Sequence, residues 1–126
     1  MEGVTLGLAY GLRRFRELGL QPAEIRLTGG GSKSATWRQL CADIFGVPTV
    51  CLKSSEGAAL GAALQAWWVH ENVNGHQTPL SYAAEKLVQL DEKSRCQPDR
   101  AATDFYAGLL TRQTDLTRKL HAAGHL

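Results

Sequence analysis

The chain is poor in cysteine, nearly balanced in charge, and free of long apolar runs and internal repeats. Three cysteines, Cys41, Cys51 and Cys96, make an odd count at wide spacings in 126 residues. That argues against a disulfide framework and against a paired-thiolate zinc site, and points to reduced thiols in a cytoplasmic protein. The formal charge is only +2 and the 14 basic residues are scattered, so no electrostatic footprint for nucleic acid or an anionic membrane is present. The longest apolar stretch, from Ala58 to Val69, is too short and too rich in alanine to span a bilayer. No charged-then-apolar signal segment opens the chain. Without a repeat, a low-complexity tract or a charge block, residues 1–126 read as a single domain.

What is present is the composition of a folding protein, 44% apolar and 21% charged. Its length suits one modest core. Val4, Leu8, Leu12, Phe15 and Leu18 recur at helical spacing and stop at Gly19, with Pro22 following. Residues 24–28 alternate polar and apolar and predict a short strand ending at glycine. Trp37, Leu40, Cys41, Ile44 and Phe45 form a helical stripe, with Ser34 as N-cap and Gly46 as terminator. TVCL, residues 49–52, predicts a second strand, and Ser54 or Ser55 is placed to cap a helix through Leu60, Leu64, Trp67 and Trp68. The order strand, helix, strand, helix favours an α/β layer of parallel strands, with ligand sites at their carboxyl ends.

Residues 1–70 are therefore expected to form an α/β core. Residues 71–97 read as a linker with a short helix over 82–90 and a break at 94–99. Residues 98–123 read as a long C-terminal helix that opens at Pro98 and packs across the layer through Phe105, Leu109, Leu116 and Leu120.

The triplet Gly29, Gly30 and Gly31 lies where the first strand meets the next helix. One glycine suffices for a turn with positive φ; three in succession clear a surface where something flat or anionic can approach the backbone. The free N–H groups of the following helix favour a phosphate nearby, which makes a nucleotide the obvious ligand. A permissive turn that binds nothing is the alternative, and spacing alone does not separate the two. Lys33 is not part of a Walker A loop, because the G-x-x-x-x-G-K-[ST] spacing is absent. A dinucleotide fold would want glycine where Ser34 stands and an acid where the next strand ends in Lys53.

Other candidates are thin. His70 and Glu71 begin an H-E-x-x-H pattern, but Asn74 holds its last ligand position. His70 then reads as a helix-end residue, and His76, His121 and His125 as solvated side chains without matched acids. Cys41 reads as core rather than nucleophile, Trp67 and Trp68 as core or interface, and Glu56 as a residue acting on a helix start.

Taken together, EIRLTGGGSKSATWRQLCADIFGVPTVCLKSSEGAALGAAL resembles the C-terminal domain of the FGGY family of carbohydrate kinases. The likeness combines GGG-x-x-S-x-x-W-R-Q, A-D-I-F-G-x-P and E-G-A-A-L-G-A-A in order, and the opening EGVTLGLAYGLRRFRELG is similar to the family's preceding helix. It is strong over residues 2–68 and loose beyond. The resemblance implies part of an actin-like ATPase (ribonuclease H-like) fold, two lobes hinged about a cleft, and transfer of the ATP γ-phosphate to a sugar hydroxyl with Mg²⁺. It implies that Gly29, Gly30, Gly31, Ser32 and Ser34 form the ATP-binding loop, with Ser34 toward the adenine. The phosphate loop, the catalytic aspartate and most sugar-binding residues of the family have no match here, so no catalytic residue or metal ligand is assigned to this chain. The resemblance thus describes a fragment, with Met1 at a domain boundary, inactive without its N-terminal lobe. An apolar face left by that lobe would drive self-association into a homodimer. A stand-alone nucleotide-sensing or interaction module is the other reading.

Overall fold

The computed structural model describes residues 1–125. Five helices and three strands follow in the order α1 (Glu2–Glu17), β1 (Ile25–Leu27), a 3-10 turn (Gly30–Lys33), α2 (Ala35–Phe45), β2 (Thr49–Leu52), α3 (Gly57–Val73), α4 (Leu80–Leu87), β3 (Leu90–Cys96) and α5 (Arg100–Ala122). The sheet order is β1-β2-β3. β1 and β2 are parallel, with Ile25 opposite Thr49 and Leu27 opposite Cys51, as a strand-helix-strand unit requires. β3 closes the sheet antiparallel to β2.

α2 holds the centre. Ser34 caps it by accepting the Trp37 N–H at 3.3 Å, and Gly46 ends it at φ +64 with its N–H on the Ala42 carbonyl, the left-handed stop that glycine adopts without strain. One side of α2 meets the sheet and the other meets α1 and α5. Leu6, Ala9, Leu27, Cys41, Ile44, Phe45 and Cys51 form the buried core, and Trp37, Tyr106, Leu109 and Leu110 pack around it.

Several elements differ from expectation. The expected helix over 82–90 is α4 at Leu80–Leu87, and the expected break at 94–99 overlaps β3. LDEKSRC lacks clean alternation because it is an edge strand whose ladder partner, not its own pattern, makes it a strand. The linker expected from residue 71 starts later, since α3 continues to Val73. Pro98 stands outside α5, which is capped by the Asp99 carboxylate accepting the Ala102 N–H at 2.8 Å. Neither Ser54 nor Ser55 caps α3: Glu56 occupies that place without a side-chain bond, and Ser54 Oγ accepts the Glu56 N–H.

Of the apolar stripe expected on α1, only Leu12 packs against the core. Val4, Leu8 and Phe15 are 72%, 52% and 56% exposed, while Thr5, Leu6 and Ala9 are buried. Trp67 and Trp68 are not in the core of this chain, where they keep 37% and 36% of their surface in solvent. Tertiary partners, not periodicity alone, determine which face of a helix is covered.

Candidate functional site

β1 runs into the glycine triplet at its carboxyl end, and each glycine there has a different physical reason. Gly29 sits at φ +82, ψ −173, a region open essentially only to glycine. It starts the 3-10 turn, accepting the Ser32 N–H at 3.2 Å and the Ser32 hydroxyl at 2.7 Å. Gly31 lies against the indole of Trp37, where an added Cβ would come within 3.0 Å of the ring. Gly30 is exposed, has no positive φ, and a Cβ there would meet nothing within 4 Å. The fold itself therefore does not require glycine at position 30.

The loop is held from below. Trp37 Nε1 donates to Thr5 Oγ1 at 3.1 Å, and the fully buried Thr5 donates in turn to the Met1 carbonyl. This ties the platform under Gly31 to α1. Arg38 Nη1 donates to the Ser32 carbonyl at 2.9 Å and Cys51 Sγ contacts the same oxygen at 3.6 Å. Ser32 is buried, its hydroxyl spent on Gly29. Ser34 is exposed, and its oxygen caps α2 while its own proton remains available.

The first turn of α3 reaches the same region. A Cβ at Gly57 would come within 2.6 Å of Thr28 Oγ1, whose hydroxyl donates to the Ser55 carbonyl at 3.4 Å. The glycine of E-G-A-A-L-G thus lets α3 start against the end of β1 and brings a second helix N-terminus beside the triplet. Neither the Arg38 clamp nor the Gly57–Thr28 approach is legible in the sequence. The E-G and W-R-Q motifs carry both residues, but their partners are remote in the chain.

The remaining candidates lie elsewhere. Cys41 is fully buried, and its thiol is pushed up to about 11 by burial first and by nearby Cys96 second, the state of a core thiol and not of a nucleophile. His70 lies in the last turn of α3, its ring within 3.2 Å of the Asn74 amide. His76 is solvated as expected but does have an acid partner, Glu71 Oε2 at 3.0 Å, because α3 folds back through the Gly75 turn. Glu56 borders α3 and accepts the Ser55 hydroxyl. Among the described residues no three His, Cys, Asp or Glu side chains gather to hold a metal ion, and no helix is long and apolar enough to cross a membrane.

A parallel β-α-β unit whose glycine loop is braced by two helices, one of them packed between the sheet and two further helices, fits part of an actin-like ATPase fold. Residues 1–70 match the model of the C-terminal domain of the FGGY family of carbohydrate kinases, and the chain belongs to that family. It is 43% identical over 106 residues to a xylulose kinase of Haemophilus influenzae, covering 84% of this chain and 20% of that protein. Among solved structures, a gluconate kinase from Lactobacillus acidophilus superposes at a TM-score of 0.78 with 27% identity, over 94% of this chain and 23% of its own. A xylulose kinase from Rhodospirillum rubrum does so at 0.76 with 26% identity, over 99% and 24%. The chain thus spans about a fifth to a quarter of the length of these relatives.

Proposed function

We propose that this chain is the ATP-binding C-terminal portion of a xylulose kinase, which transfers the γ-phosphate of ATP to a hydroxyl of D-xylulose to give D-xylulose 5-phosphate. The observation that carries the reading is Gly30. Its neighbours are glycine for reasons internal to the fold, a Gly-only backbone at Gly29 and the Trp37 ring at Gly31. At Gly30 no internal reason exists, and an open, side-chain-free position between two helix starts suits a nucleotide lying flat on the backbone.

In this reading Gly29, Gly30 and Gly31 form the surface for adenosine and Ser34 offers its hydroxyl proton toward the adenine. Ser32, buried and bonded to Gly29, acts by fixing the loop. Mg²⁺ would supply charge neutralisation at the phosphates, held by groups upstream of this chain. Phosphoryl transfer depends on positioning and on a base beside the sugar hydroxyl; those groups too belong to the N-terminal lobe, the partner that completes the cleft. Xylulose is favoured by the 43% relative, and three cysteines without a disulfide among them support a cytoplasmic protein.

Titration of the chain with ADP, followed by backbone amide resonances, tests this. The largest shifts are expected from Gly29 to Lys33, with affinity near the millimolar range, about −4 kcal/mol, because the contacts and closing motion of the rest of the kinase are absent. Largest shifts near Trp67 or in α5 would refute the site.

A further inference from the structure

A second feature of the loop region is electrostatic. A cleft of about 350 Å³ opens beside the 3-10 turn, lined among others by Lys33, Arg38, Lys53, Asp91 and Lys93. None of the three glycines lines it, nor does Ser34. Four cations and a single acid thus face one small volume in a chain whose formal net charge is only +2.

These cations are not neutralised internally. Arg13, Arg14, Arg26, Arg95 and Arg118 all make ion pairs, whereas Lys33, Arg38, Lys53 and Lys93 make none among the described residues. Lys53 Nζ donates to the neutral amide of Gln89 at 3.1 Å. Arg38 spends Nη1 on the Ser32 carbonyl, and its Nε is buried with no hydrogen-bond partner. The one acid, Asp91, accepts the main-chain N–H of Lys93 at 3.2 Å. The hydroxyls of Ser32, Ser55 and Ser94 around the cleft already donate, to Gly29, Glu56 and Asp91, so the attraction left over is that of the cations.

The fold builds this arrangement deliberately. Thr49 pairs with Cys96 and Cys51 with Asp91, so Val50 alone stands against Glu92, Lys93, Ser94 and Arg95. The buried Ser94 hydroxyl repairs the ladder by accepting the Cys51 N–H at 2.8 Å and donating to the Asp91 carbonyl at 2.6 Å. A bulge of this kind re-aims side chains, and here Lys93 joins Lys53 from the adjacent strand end. Unpaired cations gathered in a concave site focus their field on an anion of high charge density, and lysine binds phosphate as a point charge.

We infer that this cleft binds a phosphate or diphosphate group, independently of whether the glycine loop binds adenosine. The group has two sources, the phosphate tail of a nucleotide or a separate phosphorylated small molecule.

The probes are pyrophosphate and adenosine, titrated separately into the 126-residue chain and read from amide resonances. Saturable pyrophosphate shifts at Lys53, Lys93 and Ser94, with affinity falling at least tenfold in Lys53→Ala/Lys93→Ala and unchanged in Lys86→Ala/Lys119→Ala, would establish the site. The second variant removes the same charge from outside the cleft, and both pairs are exposed, so folding is retained. If ADP competes with pyrophosphate the source is the nucleotide's own tail; if both bind together it is a separate molecule. Absence of pyrophosphate shifts, equal loss in both variants, or the same shifts from 150 mM sodium chloride would overturn the inference. Adenosine shifts at Gly29–Gly31 persisting in that case would leave the nucleotide reading standing.

Discussion

Alanine placed in turn at Gly29, Gly30 and Gly31 separates what the fold requires from what a ligand requires. At Gly29 the backbone lies at φ +82, ψ −173, and a side chain there costs about 1–3 kcal/mol. At Gly31 the new Cβ would lie 3.0 and 3.1 Å from two carbons of the Trp37 ring. The ring cannot retreat freely, because its Nε1 is bonded to the buried Thr5, so overpacking costs about 1–3 kcal/mol. At Gly30 the backbone suits alanine and space is open. Restricting the unfolded chain there stabilises by about 0.4–1 kcal/mol. Thermal unfolding reads these directly, at roughly 3–5 °C per kcal/mol for a chain of this size. Gly29→Ala and Gly31→Ala are expected to melt several degrees lower, and Gly30→Ala unchanged or a few degrees higher. ADP binding, scored per folded molecule, is expected to fall in Gly30→Ala and to vanish in Gly30→Val. A Gly30→Ala chain as destabilised as the other two would show that position 30 is structural. Full ADP affinity in a stable Gly30→Val chain would show that the triplet is only a turn.

Glu24 is held below its ordinary value of 4.5 by hydrogen bonds from Arg95 first and Arg26 second. A depressed carboxyl contributes stability above its unfolded value and loses it as pH falls through the folded one. Glu24→Gln is therefore expected to lower the melting temperature at pH 7, with the gap narrowing as the pH falls below the ordinary value of 4.5; a gap that does not change with pH would exclude the ion pair as its cause. Cys41, fully buried with its thiol pushed up to about 11, is expected to resist iodoacetamide at pH 8 in the folded chain and to react in urea. Alkylation of the native protein at Cys41 as fast as at the partly exposed Cys96 would contradict the packing. A coupled assay with ATP, Mg²⁺ and D-xylulose is expected to show no turnover by this chain and restored turnover when the N-terminal lobe is joined to it. Activity that follows the concentration of the chain alone would show that this chain is catalytically complete.

The sequence by itself determined the α/β centre, because that part rests on local rules. Ser34 caps α2 and Gly46 ends it as their residue types dictate, the two short apolar runs pair in parallel across the intervening helix, and the ordered glycine, tryptophan and E-G motifs led to the family. Only the tertiary structure decided the rest. LDEKSRC becomes a strand because β2 offers it a ladder, and Val4, Leu8 and Phe15 of α1 stay exposed because α2 and α5 cover the side that carries Leu6 and Ala9. The three glycines, identical in sequence, acquire different reasons only when Trp37 is brought against Gly31 and nothing against Gly30. The basic cleft joins Lys33, Arg38, Lys53 and Lys93 through a bulge and a parallel pairing. Such long-range neighbours leave no periodic trace in a chain, since their spacing is set by where the elements pack.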